Sequence, residues 1–236
     1  MPLITPYGRD NVVVLLGTAA TLGVVGVGVG GALGWLLGGG AAAIAGLTLW
    51  FFRDPERRAP AGVWRDGVLV APADGRIVQI ARVHEPEFLG GEAVCISIFL
   101  SLLDVHVNRV PVSGVVRFCR YVPGRFYAAY RSEASQQNEQ VIVGVETPRG
   151  RVLFKQIAGV LARRIVCDLR EGQCVQAVER FGMIKFGSRM EVLVPSSQAE
   201  IVVQVGMRVR AGETVLGYLR PSVSEEAAVQ ALHGGA

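Results

Sequence analysis

The sequence predicts a mainly β protein of the α+β class: a β-rich domain of barrel-sandwich-like character behind an N-terminal membrane helical hairpin. Three observations carry that expectation. From Asn11 to Phe52 no residue is charged. After Pro60 the texture changes to short runs rich in Val and Ile, broken by Gly and Pro. A Gly187-Ser188 pair then stands between two strand-like apolar runs, with Lys185 just before it and Arg189 just after.

The 236 residues leave room for one domain plus a membrane segment. Half of them are hydrophobic and the net charge is +4, carried almost wholly by Arg because the lysines are Lys155 and Lys185 alone. A basic balance beside an apolar segment favours an anionic membrane surface over nucleic acid, and no zinc-finger spacing or arginine-rich arm argues otherwise. The four cysteines, Cys95, Cys119, Cys167 and Cys174, form no CxxC pair. They are expected as buried, reduced thiols, and no metal site is expected.

Taken in order, the charge-free run is long enough for two spans of roughly 20 residues each. Val12 to about Gly30 and about Ala32 to Phe52 are the candidates, with the turn near Gly28–Gly31 or Gly38–Gly40. The run is too long for a signal-peptide core, which is roughly 7–15 residues. Arg9 precedes it and Arg53, Arg57 and Arg58 follow it, so the positive-inside rule puts both ends in the cytoplasm. Arg53–Pro60 reads as a membrane-edge linker in which prolines stop the helix and arginines meet lipid phosphates. Domains are therefore expected at 1–58 for the anchor and 59–236 for the β-rich part.

Strands are expected at Val68–Val70, Arg76–Val83, Val94–Leu103, Val115–Tyr121, Gln140–Glu146, Val152–Ile157, Met190–Val194 and Ile201–Val205. Turns such as Pro72–Gly75 and Pro148–Gly150 separate them. Only Ile157–Val166 and Glu225–Leu232 read as helix. Val68–Ile80 and Gly206–Leu219 share the strand, Gly-turn, strand texture of barrel-sandwich domains.

The Gly187-Ser188 pair admits a specific chemistry. A serine hydroxyl can attack the carbonyl before it, and glycine there tolerates the strained backbone the attack needs. Loss of the Ser188 α-proton would then expel the Gly187 carboxylate and leave, after hydrolysis, a ketone that acts as an electrophile. Alone, such a pair is more often a turn. Asp74, in Pro72-Ala73-Asp74-Gly75, reads equally as turn chemistry or as an acid/base group. His106, just past a long apolar strand, suits proton transfer near neutral pH. Arg109 and Arg125 offer planar forks for phosphate or carboxylate, and Asn138 with Glu139 forms a polar cluster that lines a pocket or caps an element.

Together these segments resemble the short-form phosphatidylserine decarboxylases, pyruvoyl-dependent enzymes of phosphatidylethanolamine synthesis. The resemblance rests on Phe51-Phe52-Arg53-Asp54-Pro55, on Pro72–Gly75, and on Asp104–Arg109 with Pro111. It continues through Val122–Phe126, Gln156–Gly159 with Ala162–Val166, and Phe181–Arg189. It implies self-cleavage between Gly187 and Ser188 into a large chain (1–187) and a small chain (188–236) that stay together as a heterodimer, with room for a homo-oligomer of that unit. It implies that Ser188 becomes a covalent pyruvoyl group that forms a Schiff base with phosphatidylserine. Asp74 matches an acidic residue that assists cleavage, and His106 a histidine that handles a proton in decarboxylation. One departure stands out: longer relatives carry a second histidine where this chain has Arg109. A cell-membrane protein with its catalytic domain on the cytoplasmic face is implied. Two other readings remain open: a different serine-headed lipid such as archaetidylserine, or a biotinyl- or lipoyl-like carrier. The carrier would need a lysine where Arg189 stands.

Overall fold

The computed structural model describes residues 4–63, 67–127, 134–159, 165–185 and 188–220. By contacts the chain divides into two units: Met1–Glu56 with Leu102–Val105, and Arg57–Ser101 with His106–Ala236.

The first unit is a helical hairpin, α1 (Arg9–Val29) and α2 (Gly31–Phe51), each of 21 residues. At 1.5 Å per residue each helix is about 32 Å long, matching a hydrocarbon core of about 30 Å. The turn is Gly30–Gly31, where both residues hold positive φ (65° and 59°) that side chains with a Cβ resist. The buried positions Val12, Ala19 and Gly26 recur every seventh residue, as do Ala41 and Thr48 on the facing helix. A Cβ on Gly26 would stand 2.9 Å from the Gly34 carbonyl oxygen. Small residues thus let the two backbones meet, while Val27, Trp35, Leu36 and other apolar side chains point outward. At the base of the hairpin the Arg53 guanidinium covers the Trp50 ring at 4.1 Å and donates to the Leu103 carbonyl.

The second unit is β-rich. Its strands are β1 (Val68–Val70), β2 (Gly75–Glu85), β3 (Gly91–Leu100), β4 (Val107–Arg109), β5 (Gly114–Val122), β6 (Gln140–Thr147) and β7 (Gly150–Ile157). They continue as β8 (Ile165–Cys167), β9 (Cys174–Val175), β10 (Arg180–Ile184), β11 (Ser188–Pro195), β12 (Ala199–Ile201), β13 (Arg208–Val209) and β14 (Val215–Leu219). The large sheet runs β13-β2-β3-β11-β7-β6-β5-β9, and two small sheets run β4-β10-β8 and β1-β14-β12. One apolar core joins all three, with Ile98, Phe154 and Val192 from the large sheet, Phe181 and Ile184 from β10, and Leu69 and Leu216 from the third sheet. The Phe154 and Phe181 rings meet edge to face at 5.2 Å between the large sheet and β10. A smaller cluster of Phe88, Cys95, Leu153 and Leu193 covers part of the opposite face.

Several sequence expectations are corrected. The helix expected over Ile157–Val166 is absent at both described ends, because Ile157 pairs with Arg189 and Gln140 while Ile165–Cys167 pairs with β10. Residues 160–164 between them and the expected helix Glu225–Leu232 lie outside the described residues. The strand expected to Leu103 stops at Leu100, and Leu102 and Leu103 are exposed. Cys174 is exposed rather than buried, and Cys119 and Cys167 are half-buried. Arg57, expected at lipid phosphates, instead binds Asp74 and Glu213 with its side chain 6% exposed.

Candidate active site

Strand β11 is the spine of the large sheet. It pairs with β3 from Ser188↔Leu100 to Pro195↔Ala93 and with β7 from Arg189↔Ile157 to Leu193↔Leu153. Ser188, its first residue, is fully buried, and its Oγ has no hydrogen-bond partner among the described residues. A buried hydroxyl without a partner costs roughly 1–3 kcal/mol, so its persistence calls for a chemical or ligand-binding reason. Gly187 and Phe186 lie outside the described residues.

The Pro72–Gly75 turn opens at the same end of the sheet. Arg76 and Arg189 both pair with Phe99, from either side of β3. The Asp74 turn and Ser188 are therefore two strand spacings apart, about 10 Å in backbone terms. Gly75 is required there, because a Cβ would overlap the Phe99 carbonyl. The Asp74 carboxylate accepts from Arg57 at 2.7 Å and from the Ala211 N–H at 2.8 Å. Arg57 also faces Glu213 at 3.5 Å. Partial burial pushes the Glu213 carboxyl up, but the Arg58 N–H and the Arg57 and Arg210 guanidiniums outweigh this and hold it below the usual range.

His106 is fully buried and stands one residue before β4, whose Val107 pairs with Met183. It thus lies at the end of β10 that runs on toward Ser188. Arg109 is 5% exposed and donates to the Val178 carbonyl at 3.0 Å. Val178 is a β-branched residue at φ 73°, a strained conformation that this bond helps to hold.

Arg125, Asn138 and Glu139 meet at one corner. Arg125 is exposed, bridges Asn138 through the backbone and donates to the Tyr127 hydroxyl. Asn138 is buried and clamps the chain: its Oδ1 accepts from Tyr127 N, and its Nδ2 donates to the carbonyls of Tyr127 and Ala158. The Glu139 carbonyl accepts from Ala158 N. Since Ile157 pairs with Arg189, this clamp fixes the chain that flanks Ser188 on the β7 side.

On the opposite face, beside Ser188 in sequence, Arg189 and Glu191 form a buried ion pair at 3.1 Å. Arg189 also donates to Gln79, and Glu191 accepts from Ser97 and Ser135. A residue so enclosed inside a central strand is not the exposed hairpin tip of a carrier module. Burial and the nearby Glu191 push the Cys95 thiol up to about 12. Farther away, a hydrogen bond from Cys167 holds the Cys119 thiol down to about 7, and Cys167 is correspondingly raised.

Four residues of this region escaped the sequence reading as functional candidates: Arg57, Asn108, Gln156 and Glu191. Asn108 and Gln156 sit inside segments already singled out, but nothing in their spacing shows that their amides meet at 2.9 Å. Among the described residues no three His, Cys, Asp or Glu side chains converge as a metal site would need.

Comparison with known proteins adds to this geometry. A family model described as phosphatidylserine decarboxylase matches residues 44–217. A Salinibacter ruber protein named phosphatidylserine decarboxylase proenzyme is 54% identical over 178 residues, covering 74% of this chain and 78% of its own. Proteins of the same name from Chlorobium luteolum (42% over 214 residues, 91% and 99% covered) and Symbiobacterium thermophilum (47% over 186 residues, 78% and 85% covered) are also similar.

Proposed function

The chain belongs to the phosphatidylserine decarboxylase family, and from that premise we propose that it is a membrane-anchored proenzyme that cuts itself at Ser188 and decarboxylates phosphatidylserine to phosphatidylethanolamine. The carrying observation is the Ser188 hydroxyl, fully buried at the start of a central strand and without a partner among the described residues. Such a hydroxyl has no competing bond to give up before it attacks. In the reading, residues 1–187 become the large chain and 188–236 the small one, and the shared ladders of β11 with β3 and β7 keep the two together as a heterodimer.

A pyruvoyl group at position 188 fits the residues present. Conversion of the serine removes a hydroxyl that no described residue satisfies, and Leu100 and Met190 beside it are fully buried and apolar. When present, the group supplies a carbonyl that takes up the substrate amine and draws electrons from the bond to the departing carboxylate. The chain's own residues do the rest. Burial around Ser188 keeps water from the reacting carbon. His106, enclosed at the β4 end, is the candidate proton donor to that carbon. Asp74 assists cleavage in this reading, from a position fixed by Arg57 and the Ala211 N–H. Arg125, exposed at the clamp corner, suits the lipid phosphate, whereas Arg109, Asn138 and Glu139 support the backbone around the site.

The apolar hairpin supports attachment to the cell membrane, with both ends and the catalytic domain on the cytoplasmic face. The exposed Leu102 and Leu103, in the same unit as the hairpin, add apolar surface for an anionic lipid bilayer. Release of carbon dioxide from phosphatidylserine vesicles by the wild-type chain, and none by Ser188→Ala, is the expected result. Activity surviving in Ser188→Ala would reject the proposal.

A further inference from the structure

Three buried polar atoms lack partners among the described residues: Ser188 Oγ and Gln156 Oε1 on one face of the large sheet, and Asn108 Nδ2 on β4 of a small sheet. Gln156 pairs with Met190 across β7 and β11, so the two side chains share a face. Ser188, two residues before Met190, shares it as well. The diagonal backbone separation of Ser188 and Gln156 is about 7–8 Å, within reach of a glutamine side chain.

The identities of the amide atoms follow from a fixed neighbour. Gln156 donates from Nε2 to Asn108 Oδ1 at 2.9 Å and to the Val166 carbonyl at 3.2 Å. A carbonyl only accepts, so the Gln156 atom facing Val166 is the nitrogen and the Asn108 atom facing Gln156 is the oxygen. Gly182 makes this approach possible, because a Cβ there would overlap the Val166 carbonyl and stand 3.1 Å from Gln156 Nε2. The pair therefore presents one unused acceptor and one unused donor. Asn108 pairs with Gly182 on β10, the strand that leads toward Ser188. Buried amides are normally satisfied, and an unmet acceptor on the same face as an unmet hydroxyl points to groups that become bonded only during a reaction.

We propose that the Asn108–Gln156 pair positions the Ser188 hydroxyl for self-cleavage, Gln156 Oε1 accepting from it while Asn108 Oδ1 holds the Gln156 amide in the orientation that leaves this oxygen free. The inference rests on the reading that Ser188 cuts the chain. In the step itself, Ser188 Oγ bonds to the carbonyl carbon of residue 187 and the C–N bond breaks. The hydroxyl proton ends on the freed Ser188 nitrogen, and an ester replaces the amide. A neutral amide is too weak a base to hold that proton, so Gln156 aims the hydroxyl rather than deprotonating it. Asn108 fixes the Gln156 amide, and a misplaced hydroxyl costs about 100-fold in rate.

The test uses the full chain made by cell-free translation into phospholipid nanodiscs. Appearance of the fragment beginning at residue 188 is followed on gels, with and without hydroxylamine, which cuts esters and leaves amides. Gln156→Met removes the acceptor and keeps the side-chain volume. It is expected to slow cleavage about 100-fold and to remain resistant to hydroxylamine, showing a block before the ester. The double variant Asn108→Leu with Gln156→Met removes both partners at similar volume, which protects folding, and it is expected to stay uncut with a melting temperature close to that of Ser188→Ala. Cleavage of either variant at the wild-type rate, or accumulation of a hydroxylamine-labile ester, overturns the inference while leaving Ser188 cleavage standing. A wild-type chain that never yields the 188 fragment removes both.

Discussion

Asp74 and Arg57 are joined by a 2.7 Å ion-paired hydrogen bond in which both side chains are largely enclosed, 15% and 6% exposed. The second Asp74 oxygen accepts from Ala211 N, so this carboxylate fastens the linker after the hairpin to the β13–β14 turn. Removing the guanidinium strands a largely buried carboxylate. Arg57→Ala is expected to cost about 2 kcal/mol and to lower the melting temperature by about 4–8 °C. An unchanged melting curve would show that the pair adds nothing to stability.

Arg189 and Glu191 occupy the face of β11 opposite Ser188. Arg189→Met leaves the Glu191 carboxylate in the interior with only Ser97 and Ser135 to satisfy it. A loss of about 3–5 kcal/mol is expected, since a broken buried pair leaves an uncompensated charge. The double variant Arg189→Met with Glu191→Leu is expected to recover most of that loss. Denaturant titration measures both, and equal stability of the single and double variants would contradict the assignment.

Cys119 and Cys167 give the protein a pH-dependent chemical signature. The Cys167 hydrogen bond lowers Cys119 from its ordinary 9.0 to about 7. A depressed acid pKa means stability gained as pH rises: the Cys119 contribution is absent below about 7 and grows between about 7 and 9, and above that range the raised Cys167 thiol works against it. Alkylation of Cys119 by iodoacetamide is expected to reach half its limiting rate near pH 7, and Cys167→Ala should move that midpoint up. A wild-type midpoint at the ordinary thiol value would remove the hydrogen bond from the account.

Leu102 and Leu103, 47% and 68% exposed, belong to the unit that holds the hairpin, and Arg53 donates to the Leu103 carbonyl. Replacing both leucines by serine is expected to lower turnover of vesicle-borne phosphatidylserine about tenfold, equivalent to about 1.4 kcal/mol of lost apolar contact with lipid. Turnover of the same lipid in detergent micelles should hold. Equal losses in both assays would assign these leucines a role other than contact with the bilayer.

Much of the fold was legible because its signals are local. A charge-free run, paired glycines at a helix turn and alternating Val and Ile each act within a few residues. The helix expected over Ile157–Val166 shows where local preference fails, since pairing with Gln140, Arg189 and β10 overrides it. Strands β4, β8 and β9 span only two or three residues, too short for any period to register. Ser188 stood out through its glycine neighbour and the resemblance around it. The Asn108–Gln156 bond joins residues 48 positions apart. Arg57 resembled a membrane-edge cation because its partner Asp74 is close in space yet 17 residues on.

The central claim is that Ser188 is converted while the chain is cut, and the mass of the purified protein tests it most directly. Two chains are expected, the smaller spanning 188–236 and lighter than its sequence by about 17 mass units, the net loss of ammonia as serine becomes a pyruvoyl group. A single uncut chain of 236 residues from a preparation that decarboxylates phosphatidylserine would contradict it.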